Sequence, residues 1–369
     1  MPIAVTGCAT SLPSEFPMEF PENAGNMVHA NAPFEMFPNC IHSNDNWREY
    51  GHKDFATFVN KECSHIIFTL ANTIRMGETD GTRYTRFKSF LHKFQKPLVI
   101  FGFGVQSPDF NIVEGSMCPE AVDLIQYISS RCDVFGVRGQ FTADVFAKLC
   151  GVKNTFVTGC PSTFSRPKML RKLHDTWRES TGNFCYAGTK YFDFKERRML
   201  ENAIKSGAYM IEPVNKATHG VYLDVANNTF SEASVPYYLK GAIKEKRLTV
   251  PDIENFFRSN YALFRNLPDW YKFNEEKVAL TYGTRFHVNM ASILSGKPAM
   301  WVRHDARTRE LTDFLHLPAI ELDEATNMAV EDLAGEVDFD PFFEHIDGLI
   351  GNFNRYLDAS GLPNIPKVF

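Results

Sequence analysis

The chain has 369 residues, a formal net charge of −5 and a pI near 6.1. That length suits two domains with a sizeable core, and 33 phenylalanines make the core aromatic-rich. The acidic balance excludes a basic, nucleic-acid-binding surface spread over the molecule, so any anion site must be a local gathering of cations.

The N-terminal stretch MPIAVTGCATSLPSEF lacks a basic region followed by a continuous apolar run and does not read as a signal peptide. PENAGNMVHANAPFEMF then sets Asn23, Gly25 and Asn26 at the start of an expected helix, where Asn26 either caps or meets a ligand. IIFTL (66–70) and PLVIFGFGV (97–105) read as buried strands, and LANTIRMG between them carries Asn72. In FGFGVQS, Gly102 and Gly104 are followed by Gln106-Ser107, where a dinucleotide-binding GxGxxG requires its third glycine. That fingerprint fails. The two glycines mark either a tight turn or a close approach of backbone to a ligand.

Residues 119–131 repeat apolar positions at Val122, Leu124, Ile125 and Ile128, with Pro119 suited to a first helical turn. A strand over 132–138, a helix over 140–151 stopped by Gly151, and a strand over 154–159 follow. The basic polar run SRPKMLRKLHDTWRESTGN (165–183) breaks this rhythm and reads as a link. Beyond it the alternation resumes: NFCYAG, a helix over 194–206, YMIEPV, a mixed region to about 275, KVALTYG, a helix over 286–295, PAMWV, a helix over 307–315, and AIEL. The segment 341–357 is helical by its apolar spacing despite two glycines. This pattern predicts two doubly wound, Rossmann-like α/β domains, 1–165 and 166–340, facing across a cleft, with a C-terminal helix and tail over 341–369.

No run of about 18 uncharged apolar residues marks a membrane span. The eight cysteines form no CxxC pair and HExxH is absent, so no metal site is expected, and the thiols read as those of a reduced, cytoplasmic protein.

The chemistry concentrates in KVALTYGTRFHVNMASILSGKPAMWVRHDARTREL (277–311). If the chain stays extended past KVALTYG, Arg285 and His287 point one way and Phe286 the other, two cleft residues around one core residue. The helix start beyond adds N–H donors and partial positive charge. An arginine, an imidazole and a helix N-terminus meeting at one strand tip make an anion site with a proton carrier beside it. PAMWV brings Arg303, His304, Asp305 and Arg307 to the adjacent edge, whereas Arg309 divides evenly between site cation and ordinary solvated helix face. VFGVRGQF places Arg138 at another strand end, just before a helix.

Three segments together resemble the polysaccharide pyruvyl transferase family: VIFGFGVQSP, VFGVRGQFTADVFAKLCGVKNTFVTGCP and GTRFHVNMASILSGKPAMWVRHDARTRELTDFLHLP. The NAGN element resembles that family's amino-terminal Asn-x-Gly-(Asp or Asn). The resemblance implies a GT-B-like architecture and transfer of the pyruvyl unit of phosphoenolpyruvate onto two hydroxyls of one sugar, giving a cyclic ketal and phosphate. It implies Arg285 and His287 as catalytic residues, with Arg138, Arg285, Phe286, Arg303 and Arg307 around phosphoenolpyruvate. A glycan or lipid-linked saccharide would be the acceptor, met by Asn23, Asn26, Asn72 and Gln106, and phosphoenolpyruvate is a co-substrate, with no further cofactor. Departures are Gly139 where the family often has an acidic residue, Cys160-Pro161 for Asp-Pro, and Arg307 for a lysine. The alternatives are a nucleotide-sugar glycosyltransferase on the same plan, against which Asp305 and Glu310 look like ion-pair partners of the arginines, and a non-catalytic carbohydrate- or anion-binding relative.

Overall fold

A computed structural model describes residues 1–13, 23–70, 73–211 and 216–369. Its N-terminal half carries strands β1 (Ile3–Gly7), β2 (Cys40–His42), β3 (Ile66–Thr69), β4 (Ile74–Arg75), β5 (Leu98–Phe101), β6 (Val105–Gln106), β7 (Phe135–Val137) and β8 (Thr155–Val157). Four pair in the order β2-β1-β3-β5. A bridge from Phe103 to Val137 joins the β7–β8 pair to this sheet, while β4 and β6 pair beyond the ends of β3 and β5.

The C-terminal half carries β9 (Asn183–Ala187), β10 (Tyr209–Ile211), β11 (Tyr261–Ala262), β12 (Val278–Gly283), β13 (Ala299–Arg303) and β14 (Ala319–Glu321). They form one six-stranded sheet in the order β11-β10-β9-β12-β13-β14. Every pairing between these named strands is parallel. The strands lack the usual half-polar alternation because both faces of each sheet are covered. In the first sheet, Val5, Ile67 and Val99 enter one core while Ala4, Ile66, Phe68 and Ile100 enter another. In the second, Ala187 and Trp301 face one side and Tyr186, Tyr282 and Val302 the other. This is the plan of two doubly wound α/β halves that the alternation predicted.

Strand order reverses between β1 and β3 in one sheet and between β9 and β12 in the other, and crevices open at such reversals. The long helix Asp340–Ala359 buries Phe342, Ile346, Ile350, Phe353 and Leu357, each contributing roughly 1.5–3 kcal/mol. It returns to the N-terminal sheet: the Tyr356 hydroxyl donates to Ile100 O at 2.8 Å and accepts from Ile100 N at 3.1 Å. Asn352 Nδ2 donates to Val157 O at 2.8 Å.

Three local features differ from the sequence reading. PLVIFGFGV is not one strand, because Gly102 takes φ +74° and breaks it between β5 and β6. The link contains the helix Pro167–Thr176, whose polar run hides buried Leu170 and Leu173 on one face. The strand β1, central to its sheet, drew no prediction: IAVTG is short and carries no turn signal but Gly7. Among the described residues no helix is long and apolar enough to cross a membrane.

Candidate active site

The site grows from the reversal between β9 and β12. β12 ends at Gly283, whose φ of +139° lets the chain press against Ala187 at the end of β9; a Cβ there would collide with the Ala187 carbonyl. Arg285 N donates to Ala187 O at 3.2 Å, and its Nε donates to Gly188 O at 2.7 Å. Beneath this turn, Asn289 Nδ2 donates to Gly283 O (3.0 Å) and Met300 O (3.1 Å), tying the following helix, Phe286–Ile293, to both strands. The buried Glu196 carboxylate accepts from the Thr189 and Lys190 amides and from Thr284 Oγ1 at 3.0 Å. Burial raises the Glu196 carboxyl above its ordinary pKa, although those donors and Arg285 pull the other way. Both strand tips are thus fixed before any ligand arrives.

Helix begins at Phe286 itself, with Arg285 as its N-cap in an extended conformation. The helix starts where the reading of 286–295 put it, so the conditional extension through His287 does not occur. Phe286 is 4% exposed and packs edge-on to His287 and against Trp301, and it lines the cleft beside Arg285 and His287, so the predicted split into one core and two cleft residues holds only in part.

The opposite wall comes from the N-terminal half: Asn23, Gly25, Asn26, His29, Leu70, Gly102, Arg138 and Cys160. Arg138 is buried, and its Nε donates to Glu310 Oε1 at 2.7 Å across the domain boundary. Glu310 also accepts from Thr142 N at 3.2 Å and Thr142 Oγ1 at 3.0 Å. Arg138 Nη2 donates to Val105 O as well. Gly104 has no side chain because Arg138 fills that space, and Gly102 lies against the His29 ring. Of the two readings left open for these glycines, Gly102 makes a turn, and what presses on both is a protein side chain.

Arg307 sits in the same cleft, with its Nη2 3.6 Å from Asp305 Oδ2. Its buried Nε has no hydrogen-bond partner among the described residues. Burial lowers its pKa, as do Arg138 and Arg285 nearby, against the pull of Asp305 and Glu310. Burial pushes the Asp305 carboxyl up, but Arg307, His304 and two hydrogen bonds from Thr308 outweigh that and hold it below the usual range. Asp305 and Glu310 are thus partners of the arginines, as their setting in the sequence suggested.

The His287 ring stacks on His29 at 5.8 Å between centroids and 13° between planes. It is deeply set, yet part of its surface stays open to the cleft. Burial, then His29, Arg307 and Arg138, hold its pKa well below the ordinary value, so the imidazole is neutral in this arrangement. Three guanidiniums and an imidazole therefore line one cavity, with Glu310 and Asp305 facing two of the guanidiniums.

Against known families, residues 28–306 match the one described as polysaccharide pyruvyl transferase. The chain belongs to the polysaccharide pyruvyl transferase family. No curated protein matches it. Among solved structures, HepE of Anabaena in complex with UDP aligns over 98% of this chain and 100% of its own, at 9% identity and a TM-score of 0.46. MnaA of S. aureus with UDP aligns over 99% and 100%, at 12% identity and a TM-score of 0.42. The UDP-GlcNAc 2-epimerase of Methanocaldococcus jannaschii aligns over 90% and 93%, at 11% identity and a TM-score of 0.40. Membership in the pyruvyl transferase family places the chain among transferases; likenesses this remote add nothing about substrate.

For a pyruvyl transferase the cleft collects Arg138, Arg285, Phe286, His287 and Arg307 together with Asn23 and Asn26. Arg303 is a correction. It points away from the cleft, its Nη2 2.6 Å from Asp313 Oδ1 and its Nε donating to Thr312 Oγ1 at 2.9 Å. It ends β13, where Asp313 and Thr312 of the following helix and Glu321 at the end of β14 hold its guanidinium. Arg309 is likewise paired, with Glu321. Gln106 lies in β6 and does not line the cleft, because the break at Gly102 re-aims the chain before it. Asn72 lies outside the described residues.

Sequence reasoning missed His29 and Cys160 as site residues. Cys160 was visible only as a departure from Asp-Pro, and His29 gave no signal beyond following NAGN by one helical turn. The expectation of no metal site meets a contrary grouping: His29, Cys160 and His287 bring possible ligand atoms within 4.8 Å of one another.

Proposed function

We propose that this chain moves the pyruvyl group of phosphoenolpyruvate onto two hydroxyls of one sugar residue in a glycan or lipid-linked saccharide, releasing phosphate. The observation that carries this reading is the convergence of Arg138, Arg285 and Arg307 with His287 in one cavity between the two sheets. Phosphoenolpyruvate carries carboxylate and phosphate on adjacent atoms, and arginine grips either group through paired N–H donors. Each charge-assisted hydrogen bond contributes about 1.5–3 kcal/mol, enough in sum to offset the cost of association.

The reaction requires a proton on the methylene carbon, which makes C2 electrophilic. One sugar hydroxyl attacks C2 and gives up its proton, phosphate departs with the C2–O bond pair, and the second hydroxyl closes the ketal and releases another proton. The proton taken up and those released leave free phosphate and a ketal, with no redox change. His287 is the group placed to exchange protons with the bound donor or an acceptor hydroxyl. The arginines hold the departing phosphate, where charge develops. Asn23 and Asn26 line both this cleft and a neighbouring hollow with Thr73, Arg75 and Arg83, which supports the acceptor lying on that side.

A nucleotide-sugar transferase would need a free carboxylate for ribose in the C-terminal half. Asp305 caps the helix Ala306–Leu315 and faces Arg307, and Glu310 is engaged by Arg138, so neither is available. The test is phosphate release from phosphoenolpyruvate across a panel of aryl galactosides, glucosides and mannosamine derivatives, with the ketal methyl resonance identifying product. A nucleotide sugar that binds by calorimetry where phosphoenolpyruvate does not would overturn the assignment. Phosphoenolpyruvate binding with no phosphate released over the panel would favour the non-catalytic relative.

A further inference from the structure

The floor of the cleft carries a grouping that anion binding does not require. His29 comes from the helix Asn26–Ala30, Cys160 from the turn after β8, and His287 from the helix after β12. Cys160 Sγ lies 3.5 Å from His287 Nε2 and 3.9 Å from His29 Nδ1. A tetrahedral zinc, with metal–sulfur bonds of about 2.3 Å and metal–nitrogen bonds of about 2.0–2.1 Å, sets its S···N edges near 3.6 Å. Both edges therefore already stand within a few tenths of an ångström of that spacing.

The histidines are prepared for the same task. His29 Nε2 faces Phe101 O at 3.0 Å, where only donation is possible, so Nε2 carries the hydrogen and the Nδ1 lone pair faces the sulfur. A metal-bound histidine is ordinarily oriented by such an outer carbonyl or carboxylate. An entering cation must displace the thiol proton of Cys160, as thiolate-ligated zinc does. Arg138 and Arg307 stand nearby and oppose a cation, which makes the site weaker than the same ligands in neutral surroundings.

We propose that His29, Cys160 and His287 form a three-ligand site for a soft divalent cation of the zinc class, with its fourth position open to the arginine-lined cleft. Two imidazoles and a thiolate suit zinc over magnesium or calcium, and three protein ligands leave room for water or a ligand oxygen. One consequence rests on the pyruvyl-transfer reading: a cation on His287 Nε2 occupies the lone pair that proton exchange needs, so occupancy switches transfer off.

Cobalt(II) titrated into the full-length protein is the probe. A single cobalt per chain, with a thiolate-to-metal charge-transfer band and the intense visible bands of tetrahedral cobalt, is expected, and zinc should displace it. Cys160→Ser keeps the side-chain size and should abolish the charge-transfer band. Losing an outer partner of a bound histidine costs about 10–100-fold in metal affinity, so His29→Ala, which removes a ligand, should cost more. Thermal unfolding of each metal-free variant checks its integrity, and His29→Gln replaces an alanine variant that does not fold. Cobalt bound without a thiolate band, or bound equally well by Cys160→Ser, overturns the site and leaves Cys160 as a thiol packed against two rings. Phosphate release by chelator-treated protein is measured separately. Zinc that suppresses it supports the inhibitory role, and turnover indifferent to bound zinc overturns that role. Absence of turnover in metal-free protein counts against the pyruvyl-transfer reading alone and does not touch the cobalt result.

Discussion

Arg303 and Arg307 stand four residues apart and meet opposite fates. Arg303 shares the surface with Arg309, and between them Asp313 and Glu321 supply opposing charge in contact with water. Arg307 is buried and shares one cavity with Arg138 and Arg285, beside Asp305 and Glu310. The first cluster is complete as it stands, whereas the second holds like charges together at a cost that an anion would relieve. A local excess of arginine therefore marks an anion site where the guanidiniums share one buried cavity, and not where they lie along a watered edge.

His287→Ala gives the largest contrast with the surface cluster. Loss of a positioned proton carrier should lower turnover by roughly 10²–10⁴-fold, with the unfolding midpoint little changed, read by phosphate release beside a thermal melt. A near-normal rate would move the proton to another group. Next is Glu310→Gln, which leaves Arg138 buried beside a neutral amide. Breaking a buried pair on one side costs about 3–5 kcal/mol, measured by urea unfolding. Arg138→Met with Glu310→Leu should regain most of that stability while donor affinity stays weak. Equal recovery of affinity would show the pair to be a structural clamp only.

Acidification probes the floor of the adjacent strand tip. Burial lowers the His304 pKa to about 4; Arg307 and Lys190 lower it too, against the opposing pull of Asp305. The unfolded chain takes up this proton below about pH 6.5, so stability should fall from there to about pH 4, by on the order of 3 kcal/mol for this group. His304→Gln should flatten that part of the pH–stability curve, and an unchanged slope would assign it elsewhere. Arg307→Ala should weaken phosphoenolpyruvate binding by about 1.5–3 kcal/mol, or roughly 10–150-fold, in a calorimetric titration. Arg303→Ala is the small end of the series. A solvent-exposed pair contributes about 0.2–1 kcal/mol, and donor affinity should not move. If Arg303→Ala weakened binding as much as Arg307→Ala, the distinction between the two clusters would fail.

Legibility followed how local each signal was. Arg285, Phe286 and His287 could be assigned to sides because a strand end and a helix start sit next to one another in the chain. The helix begins at Phe286 as expected, and Arg285 and His287 reach the cleft, but Phe286, although buried, lines it with them. Arg138 was visible as a strand-end cation, but not its hold on Glu310, 172 positions away. Gly102 and Gly104 left a tight turn and a close approach to a ligand open; the structure shows a turn at Gly102 and side chains, His29 and Arg138, against the two glycines. Arg303 was misplaced because its cationic neighbours look alike in sequence, and the side it faces depends on strand register. The central strand β1 was passed over because five residues carry too little pattern to stand out.

By itself, then, the sequence determined that this is a chain of alternating strands and helices in two halves, with an arginine–histidine tip in the second and the segments of a pyruvyl transferase. Periodicity and motif are properties of neighbours along the chain, and neighbours are what a sequence displays. Only the tertiary structure decided which cations share a cavity, which are neutralised, and that His29, Cys160 and His287 meet at all. Those outcomes depend on burial and on contacts between residues more than a hundred positions apart, which no local pattern encodes.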